Sequence, residues 1–333
     1  MSSLTSLRES STPSVAVEIA VGRVSAAQLE WRSHQPVIAA HASEIIPETA
    51  VVPSLTSLNI TDRERGAVVA ALTRVLEATG RSRRIGLVVP DVVAKVSLVK
   101  FEKVPGRAQD LDQLVRWQVR KTAPFPIEEA QVSYVPTLAA SDGQEFLVTL
   151  ARRSVVEEYE NLCADAGTHA GIVDLATFNV ANAVLAGGAA LDGDPATGAG
   201  PADWLLVNVA AHDASTAIFR GRHLIFFRNR AAEAEGTLAD FLHQTAMYYE
   251  DRLRGAGFAR VVLAGVAGAG AGQVADLEGA RRRLEERLQT TVETVDPRTA
   301  AALTDRITAA PALLDTLAPL VGLLLRDQER RAA

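Results

Sequence analysis

The chain has 333 residues, a length that corresponds to about two domains at roughly 150 residues per domain. Its 34 Lys and Arg residues and 40 Asp and Glu residues give a net charge of −6, which argues against a dedicated surface for nucleic acid or anionic membranes. Apolar residues make up 48% of the chain, which excludes a largely disordered protein. The single cysteine, Cys163, excludes a disulfide framework and a zinc site of cysteines, and we expect it to be buried.

Neither end of the chain carries a pattern typical of membrane insertion. Residues 1–14 are polar and rich in Ser and Thr, so we expect a flexible N-terminus without the apolar core of a signal peptide. The most apolar stretch, 311–325, is interrupted by Asp315 and Pro319. It is also shorter than the roughly 20 residues that span a bilayer. These features predict a cytoplasmic protein that reaches a membrane through a partner.

Hydrophobic periodicity and turn signals predict alternating strands and helices along the chain. In the first half they indicate strands at 15–20, 24–31, 85–90, 92–101 and 146–150, and helices at 62–79, 110–122, 154–166 and 173–185. A stretch rich in Gly, Ala, Asp and Pro follows at 186–203. Beyond it we expect strands at 204–210, 214–219, 223–228 and 260–264, helices at 237–254 and 278–288, and a Leu-rich tail. This alternation is typical of the α/β or α+β class.

The two halves of the chain open on the same pattern. VAVEIA at 15–20 parallels LLVNVA at 205–210, which places Glu18 opposite Asn208. Seven residues further on, Ser25 stands opposite Ser215. Each half therefore begins with a strand, a polar residue near its end, a turn and a second strand, and we infer a duplicated fold.

This duplication resembles the actin-like ATPase superfamily, whose two domains each begin with such a hairpin and hold a nucleotide between them. Within it, the chain resembles the type IV pilus assembly protein PilM family. The most specific match is WQVRKTAPFPIEE at 117–129, and FLVTLAR at 146–152, MYYE at 247–250 and LLLR at 323–326 follow in the expected order.

The resemblance implies an α/β, actin-like (ribonuclease H-like) duplicated two-domain fold with a small inserted α+β subdomain. It divides the chain into a first domain of 15–84 and 152–190, an insert at 85–151, a linker at 191–203, a second domain at 204–310, and a C-terminal helix and tail at 311–333.

The resemblance also implies a nucleotide site, and the matching positions depart from the family's pattern. The first Asp-x-Gly is Glu18-Ile19-Ala20, and the second is Asn208-Val209-Ala210. Glutamate reaches one methylene farther, asparagine brings no charge to Mg²⁺, and each alanine puts a methyl group where a phosphate needs space. The adenosine loop keeps Gly265 and Gly268 but lacks a Gly-Gly pair. Three states stay open: active ATP hydrolysis, nucleotide binding without useful turnover, and an empty cleft.

A second candidate site lies in the insert. Arg116, Trp117 and Lys121 fall on one predicted helix, and Phe125 follows between two prolines. Arginine beside an exposed aromatic residue is typical of interaction hot spots, although Trp117 and Phe125 can equally fill the core. The resemblance implies that a cytoplasmic peptide of an inner-membrane PilN-like protein docks between this insert and the first domain.

The leading hypothesis is a PilM-like scaffold of a type IV pilus or related secretion machine, peripheral at the inner membrane. It would bind the PilN-like tail and contact motor components, with nucleotide binding weakened or lost and no nucleic acid bound. The histidines show no metal-ligand spacing, so we expect no metal site and no cofactor unless the cleft still takes ATP and Mg²⁺. The alternatives are an actin-fold ATPase or small-molecule kinase that uses Glu18, and an FtsA-like filament former.

Overall fold

A computed structural model describes residues 12–140, 142–188, 200–231, 237–265 and 277–326. The first half and the insert contain, in chain order, β1 (Val15–Ala20), β2 (Arg23–Arg32), β3 (Gln35–Ile45), β4 (Val52–Pro53), β5 (Leu58–Asn59), α1 (Asp62–Ala78), β6 (Arg84–Val89), β7 (Ala94–Phe101), α2 (Ala108–Val119), β8 (Ala130–Ala140), β9 (Gly143–Arg152), α3 (Arg153–Asp165), β10 (His169–Leu175) and α4 (Ala176–Ala186). The rest contains β11 (Asp203–Val209), β12 (Asp213–Arg220), β13 (His223–Ala231), α5 (Leu238–Leu253), β14 (Arg260–Ala264), α6 (Leu277–Leu288), β15 (Val292–Thr294), β16 (Ala302–Leu303) and α7 (Pro311–Leu325).

Two sheets of the same topology form the frame of the molecule. The first has the strand order β10-β6-β1-β2-β3-β16, and the second has the order β15-β14-β11-β12-β13. In each, an antiparallel hairpin pairs with a parallel strand, β6 beside β1 and β14 beside β11. The residues that the sequence aligns between the two halves also pair in the same way within each hairpin, Glu18 with Ser25 and Asn208 with Ser215. The predicted duplication is therefore confirmed at the level of single residues.

Apolar patterning explains why these elements pack as they do. The first strand of each hairpin is buried along nearly its whole length, as its runs of Val, Leu, Ile and Ala predict. Helix α1 begins with a capping box in which Thr61 and Glu64 satisfy each other's backbone N–H groups. It buries Val68, Leu72 and Val75 against the first sheet, in the same core cluster as Cys163.

The insert is a three-stranded antiparallel sheet, in the order β7-β9-β8, with α2 packed on one face. Its limits differ from the sequence interpretation, which begins the insert at residue 85. Strand β6 pairs in parallel with β1 and with β10, so this strand belongs to the first sheet. The insert therefore begins after β6, with β7.

Three further assignments need correction. The helix predicted at 173–185 is strand β10 followed by helix α4, because pairing with β6 draws the apolar run into the sheet. Strands β3 and β8 were not predicted. Strand β8 contains Pro136, a residue that is tolerated at a sheet edge, where its missing N–H breaks no hydrogen bond.

The last described helix returns to the first half. Helix α7 packs on α4, β1 and β2, and Leu317, Leu320 and Val321 share a core cluster with Ala16 and Val88. Strand β16 pairs with β3, although the sequence interpretation assigns residues 204–310 to the second domain. Within the described part of the chain, no helix combines the length and apolarity that a bilayer span requires. Of the predicted linker, residues 191–199 lie outside the described residues, as do 1–11 and 327–333 at the two ends.

Candidate functional sites: the interdomain cleft and the β8 groove

The cleft between the two halves receives the ends of both hairpins. Glu18 near the end of β1 and Asn208 near the end of β11 line one cavity, as the duplication predicts. Ala20, Ala210 and Gly265 line it as well, so five of the six predicted nucleotide-site residues meet there. The sixth, Gly268, lies outside the described residues.

The first-half carboxylate is held by a neighbouring arginine. Arg23 Nη2 lies 2.9 Å from Glu18 Oε2, and the two side chains are 20% and 10% exposed. Arg23 Nη1 also donates to Thr316 Oγ1 on α7, at 3.2 Å. The guanidinium group thus lies between the carboxylate and helix α7, at the edge of the cleft cavity.

The second-half polar residue bonds to the first half. Asn208 Nδ2 donates to Thr177 Oγ1 at 3.0 Å, and Thr177 is the second residue of α4. The Thr177 hydroxyl in turn donates to Asp91, a buried residue that follows β6. Ser215 Oγ of β12 donates to Asp91 Oδ2 at 2.7 Å. Buried hydrogen bonds therefore join the two halves directly.

Asp91 also caps helix α4, although the two are far apart in the sequence. Leu175 precedes that helix and makes no side-chain cap. Instead, the backbone N–H of Thr177 donates to Asp91 Oδ1 at 3.1 Å, which places a carboxylate at the positive end of the helix dipole. Burial nevertheless raises the pKa of Asp91 above its ordinary value, against the opposing effect of the Thr177 and Ser215 donors.

A second buried acid, Asp213, lies at the start of β12. Burial and the nearby Asp91 charge raise its pKa to about 7. Asn229 Nδ2 donates both to Asp213 Oδ2 at 2.5 Å and to Ser215 Oγ at 3.0 Å, so it links this acid to the Asp91 cluster. Every member of the network accepts from or donates to another protein group, which is the condition for a stable buried polar cluster.

The turn at Gly265 is hydrogen-bonded to helix α7. Gly265 has φ +83°, and a Cβ there would lie 2.0 Å from the carbonyl oxygen of Val209, so only glycine fits this close approach. Its N–H donates to Asp315 Oδ1 at 2.6 Å. Asp315 and Thr316 thus place the first turns of α7 across the cleft.

The space that remains is small. The cleft encloses a cavity of about 60 Å³, whereas small-molecule and cofactor sites measure roughly 300–1,000 Å³. Among the described residues, no group of three or more His, Cys, Asp or Glu side chains is arranged to hold a metal ion. Within the described part of the chain, Arg23, Ala20 and Ala210 are among the residues that border this cavity.

A larger site lies between the insert and the first domain, and we call it the β8 groove. It is a cavity of about 310 Å³, lined by Gln131, Ser133, Thr149 and Ala151 of the insert, by Val155, Val156, Tyr159 and Glu160 of α3, and by residues 170–175 of β10. Both β8 and β10 are edge strands, each paired on one side in the described sheets. The groove therefore runs between two sets of backbone groups that can accept a further strand.

One buried hydroxyl group in the β8 groove has no partner. Tyr159 is 1% exposed, and its OH is without a hydrogen bond. Burial raises its pKa above the ordinary value of 10.0, so the group stays protonated and remains a donor. An unsatisfied buried hydroxyl group carries a desolvation cost of about 1–3 kcal/mol.

The four predicted partner-binding residues of the insert separate into two groups. Trp117 is 66% exposed on α2. Arg116 and Lys121 lie at the surface near it, and Arg116 is paired with Asp112 at 2.8 Å. Phe125 is buried in the core cluster between α2 and the sheet, so it shapes the insert and cannot form part of an exposed surface.

Several residues of these sites are not singled out by the sequence alone. Asp91 follows a predicted buried strand, and a polar residue at a strand end is the signal that identifies Glu18 and Asn208, so it could have been included. Arg23, Thr177 and Asp315 carry no such signal, because their roles depend on packing between distant segments. Tyr159 lies on the buried face of α3 and has the pattern of an ordinary core residue.

Comparison with known families identifies the chain. A family model described as type IV pilus assembly protein PilM matches residues 16–252, which is more than half of the sequence. The chain belongs to this family. The resemblance noted in the sequence is therefore confirmed, and the role of the chain lies in type IV pilus assembly. Comparison with curated proteins gives no match.

One solved structure shares the fold over nearly the whole chain, and two others are more distant. A chain of a PilM-PilN type IV pilus biogenesis complex is 17% identical, with a TM-score of 0.75 and coverage of 94% of this chain and 98% of that one. A protein of actin-like ATPase fold and unknown function from Bacteroides thetaiotaomicron is 9% identical (TM-score 0.46, coverage 94% and 98%). The ethanolamine utilization protein EutJ from Carboxydothermus hydrogenoformans is 10% identical (TM-score 0.46, coverage 94% and 89%). The predicted actin-like α/β fold is confirmed.

Proposed function

We propose that this PilM family member is an adaptor that holds the cytoplasmic tail of an inner-membrane, PilN-like protein in the β8 groove. The observation that carries the proposal is the groove of about 310 Å³ between the insert and the first domain, flanked by two edge strands. The similar structure named as a PilM-PilN complex supports the choice of partner. The protein would then be peripheral at the inner face of the cytoplasmic membrane through this contact.

Backbone pairing would supply much of the affinity in this mode of binding. An extended peptide beside an edge strand forms main-chain hydrogen bonds, and alternate side chains enter the pockets below. Here the floor is apolar, with Val155, Ala170 and Leu175 among its residues.

A blocking variant tests this proposal. Ser133 is exposed on β8 and lines the groove, so Ser133→Trp should fill the groove without disturbing the core. The ligand is the fluorescein-labelled N-terminal cytoplasmic tail of a PilN-like, single-span inner-membrane protein from the same organism, measured by fluorescence polarisation. We expect binding by the unaltered protein and a loss of at least about tenfold in the variant.

Thr294→Trp is the matched control, since Thr294 is exposed on β15, an edge strand of the second sheet. It should bind the tail as the unaltered protein does. Absence of tail binding by the unaltered protein would refute the proposal, and equal binding by Ser133→Trp would remove the β8 groove as its site.

We also propose that nucleotide binding is weakened or lost in the cleft. Support comes from the Arg23–Glu18 ion pair, the alanines at positions 20 and 210 and the 60 Å³ cavity. A ligand at 100 times its Kd stabilises a protein by about 2.7 kcal/mol. We therefore expect a flat thermal shift with millimolar Mg-ATP or Mg-ADP.

A stabilised protein that hydrolyses ATP, and loses turnover in Glu18→Ala, would instead support the alternative of an actin-fold ATPase or small-molecule kinase. This outcome would directly contradict the proposal that nucleotide binding is weakened or lost, because Glu18 is the one carboxylate retained at the two Asp-x-Gly positions.

The exposed face of α2 is the proposed contact for a further component, such as the assembly motor. Trp117 at 66% exposure, with Arg116 and Lys121 nearby, has the composition of a hot spot. Trp117→Ala should leave tail binding unchanged and weaken co-purification of the motor proteins. Unchanged co-purification would contradict this assignment.

A further inference from the structure

The charged side chains that line the β8 groove are all acidic. Glu160 of α3 and Asp174 of β10 are its two carboxylates, and no Lys, Arg or His stands among the described residues that line it. Asp174 Oδ2 lies 3.0 Å from Arg326 Nη1, so an arginine already compensates this charge. The Glu160 carboxylate has no hydrogen bond or ion pair within the part of the chain that the structure describes. The groove therefore has one uncompensated charge, and this charge is negative.

Helix α3 places Glu160 beside the groove and not in the core. The buried side of the helix, which includes Tyr159 and Cys163, packs against the first sheet. Val156 and Glu160 are four residues apart, so they lie on one side of the helix, and both line the groove. Glu160 is half-buried there. A long cationic side chain can therefore lay its methylene groups along Val156 and bring its charged end to the Glu160 carboxylate.

Two other acidic residues of α3 already join this helix to the first domain. Glu158 and Asp165 both bond to Arg65 of α1, each at 2.8 Å. Glu160 takes no part in this linkage. A half-buried carboxylate without a partner loses part of its hydration without compensation. A cation bound in the groove would supply the missing partner.

The surroundings of Glu160 on α3 are also acidic. Arg153 is the single basic residue of the helix, and it lies seven residues before Glu160, or about 10 Å along the axis at 1.5 Å per residue. It is exposed and does not line the groove. Glu157, one turn before Glu160, is exposed and adds negative charge. This flank of the groove therefore favours a positively charged ligand group.

We propose that Glu160 determines the specificity of the β8 groove by forming an ion pair with a lysine or arginine of the bound segment. The inference rests on the proposed tail-binding function and names the chemistry of its ligand. Cytoplasmic segments next to a membrane span carry an excess of Lys and Arg, and this chain has a net charge of −6. The matching segment is extended, with apolar side chains against Val155, Ala170 and Leu175 and one basic side chain towards Glu160.

A double-mutant cycle tests this ion pair. The tail is divided into overlapping peptides that are acetylated at the N-terminus and labelled with fluorescein at an added C-terminal cysteine. In the tightest-binding peptide, each Lys and Arg is replaced in turn by Met. The proteins are the unaltered chain, Glu160→Gln, which keeps the shape of the side chain, and Glu157→Gln, the matched control on the same helix outside the groove. Thermal unfolding establishes whether each variant is folded.

We expect Glu160→Gln to bind the unaltered peptide at least about fivefold more weakly, and Glu157→Gln to bind it within about twofold. One Met-substituted peptide should show the same loss with the unaltered protein and almost no further loss with Glu160→Gln, because the partner is already absent. The loss caused by Glu160→Gln should become smaller at high salt.

Four outcomes overturn the inference and leave the tail-binding function intact. They are unchanged binding by Glu160→Gln, an equal loss in Glu157→Gln, a tight-binding peptide without Lys or Arg, and losses in the cycle that simply add. An unfolded Glu160→Gln protein also overturns it, since the carboxylate would then serve the fold. If no peptide binds the unaltered protein, the proposed function fails, and this inference falls with it.

Discussion

The interdomain cleft and the β8 groove differ in the space that their lining residues leave. In the cleft, Glu18 is paired with Arg23, Asn208 bonds to Thr177, and a cavity of about 60 Å³ remains. The groove is a cavity of about 310 Å³ between the insert and the first domain. Each site retains one buried polar atom without a hydrogen bond, Arg23 Nε in the cleft and the Tyr159 hydroxyl beside the groove, so the difference lies in the size of the open space.

A shared fold does not determine what its strand-end polar residues bond to. The duplicated hairpins bring Glu18 and Asn208 to one cleft, but Glu18 pairs with Arg23 of its own hairpin, whereas Asn208 bonds to Thr177 of the other half. Fold alone does not specify function. The capacity for a ligand has to be assessed from the partners that individual side chains have or lack.

The largest effect should come from removing Asp91. Asp91→Ala would leave the Thr177 N–H, the Thr177 hydroxyl and the Ser215 hydroxyl without their acceptor. We expect the free energy of unfolding to fall by about 3–5 kcal/mol, as for other disrupted buried networks. Urea denaturation measures this, with the exposed-site variant Asp305→Ala as control. A loss below about 1 kcal/mol would show that the cleft is not held by this network.

Breaking the Arg23–Glu18 pair should have a smaller effect. Arg23→Met leaves a largely buried carboxylate unpaired, and we expect a loss of about 2 kcal/mol in the free energy of unfolding. The double variant Glu18→Gln/Arg23→Met should recover part of this loss, because it removes the stranded charge. If the double variant is less stable than Arg23→Met, the two side chains do not act as a pair.

The buried Asp213 predicts a pH dependence. Its pKa in the folded protein is about 7, above the ordinary value of 3.8. The folded state therefore binds this proton more tightly than the unfolded state does, and the free energy of unfolding decreases as pH rises between these values. The slope from one such group is at most about 1.4 kcal/mol per pH unit. It should be steepest between about pH 5 and 7 and level off above pH 7.

Asp213→Asn should flatten this profile and raise stability at pH 8 relative to the unaltered protein, as measured by urea denaturation at each pH. Asp305→Asn, at an exposed site, should keep the original slope. Parallel profiles for the unaltered protein and Asp213→Asn would show that Asp213 does not retain its proton near neutrality.

The smallest predicted change in stability is that of Tyr159→Phe. It is opposite in sign to the losses predicted for the cleft variants. Tyr159→Phe removes a buried hydroxyl group that has no partner, so the free energy of unfolding should stay constant or rise by up to about 1 kcal/mol. Tail affinity should stay unchanged, because this hydroxyl group is buried and not exposed to the groove. A destabilised variant would mean that the hydroxyl group has a partner within the folded chain.

Local signals predict those parts of the fold that depend on neighbouring residues. The capping Thr61 and the face of Val68, Leu72 and Val75 predict α1, and the structure confirms this helix. The apolar run around Val173 suits a helix or a strand equally well, and its pairing with β6 decides between them. Strand β8 was missed because Pro136 reads as a breaker until the edge position of the strand is known.

The residues of the candidate sites also separate into those that local sequence predicts and those that depend on contacts between distant segments. Glu18 and Asn208 were placed together because the duplication gives both the same position in a hairpin. Their partners Arg23 and Thr177 could not be predicted, since an ion pair or hydrogen bond depends on side-chain positions across a turn or between domains. The orphan hydroxyl of Tyr159 is a property of packing around a single atom, and no sequence pattern encodes it.

Helix α7 has a consequence for the order in which the protein folds. It completes the core around Ala16 and Val88, yet the whole second domain separates it in sequence from the sheet that it covers. During synthesis, the first domain emerges long before this helix. One apolar face of the domain therefore stays exposed until α7 has been synthesised. We therefore expect the two domains to complete folding together, and a first domain excised on its own to aggregate.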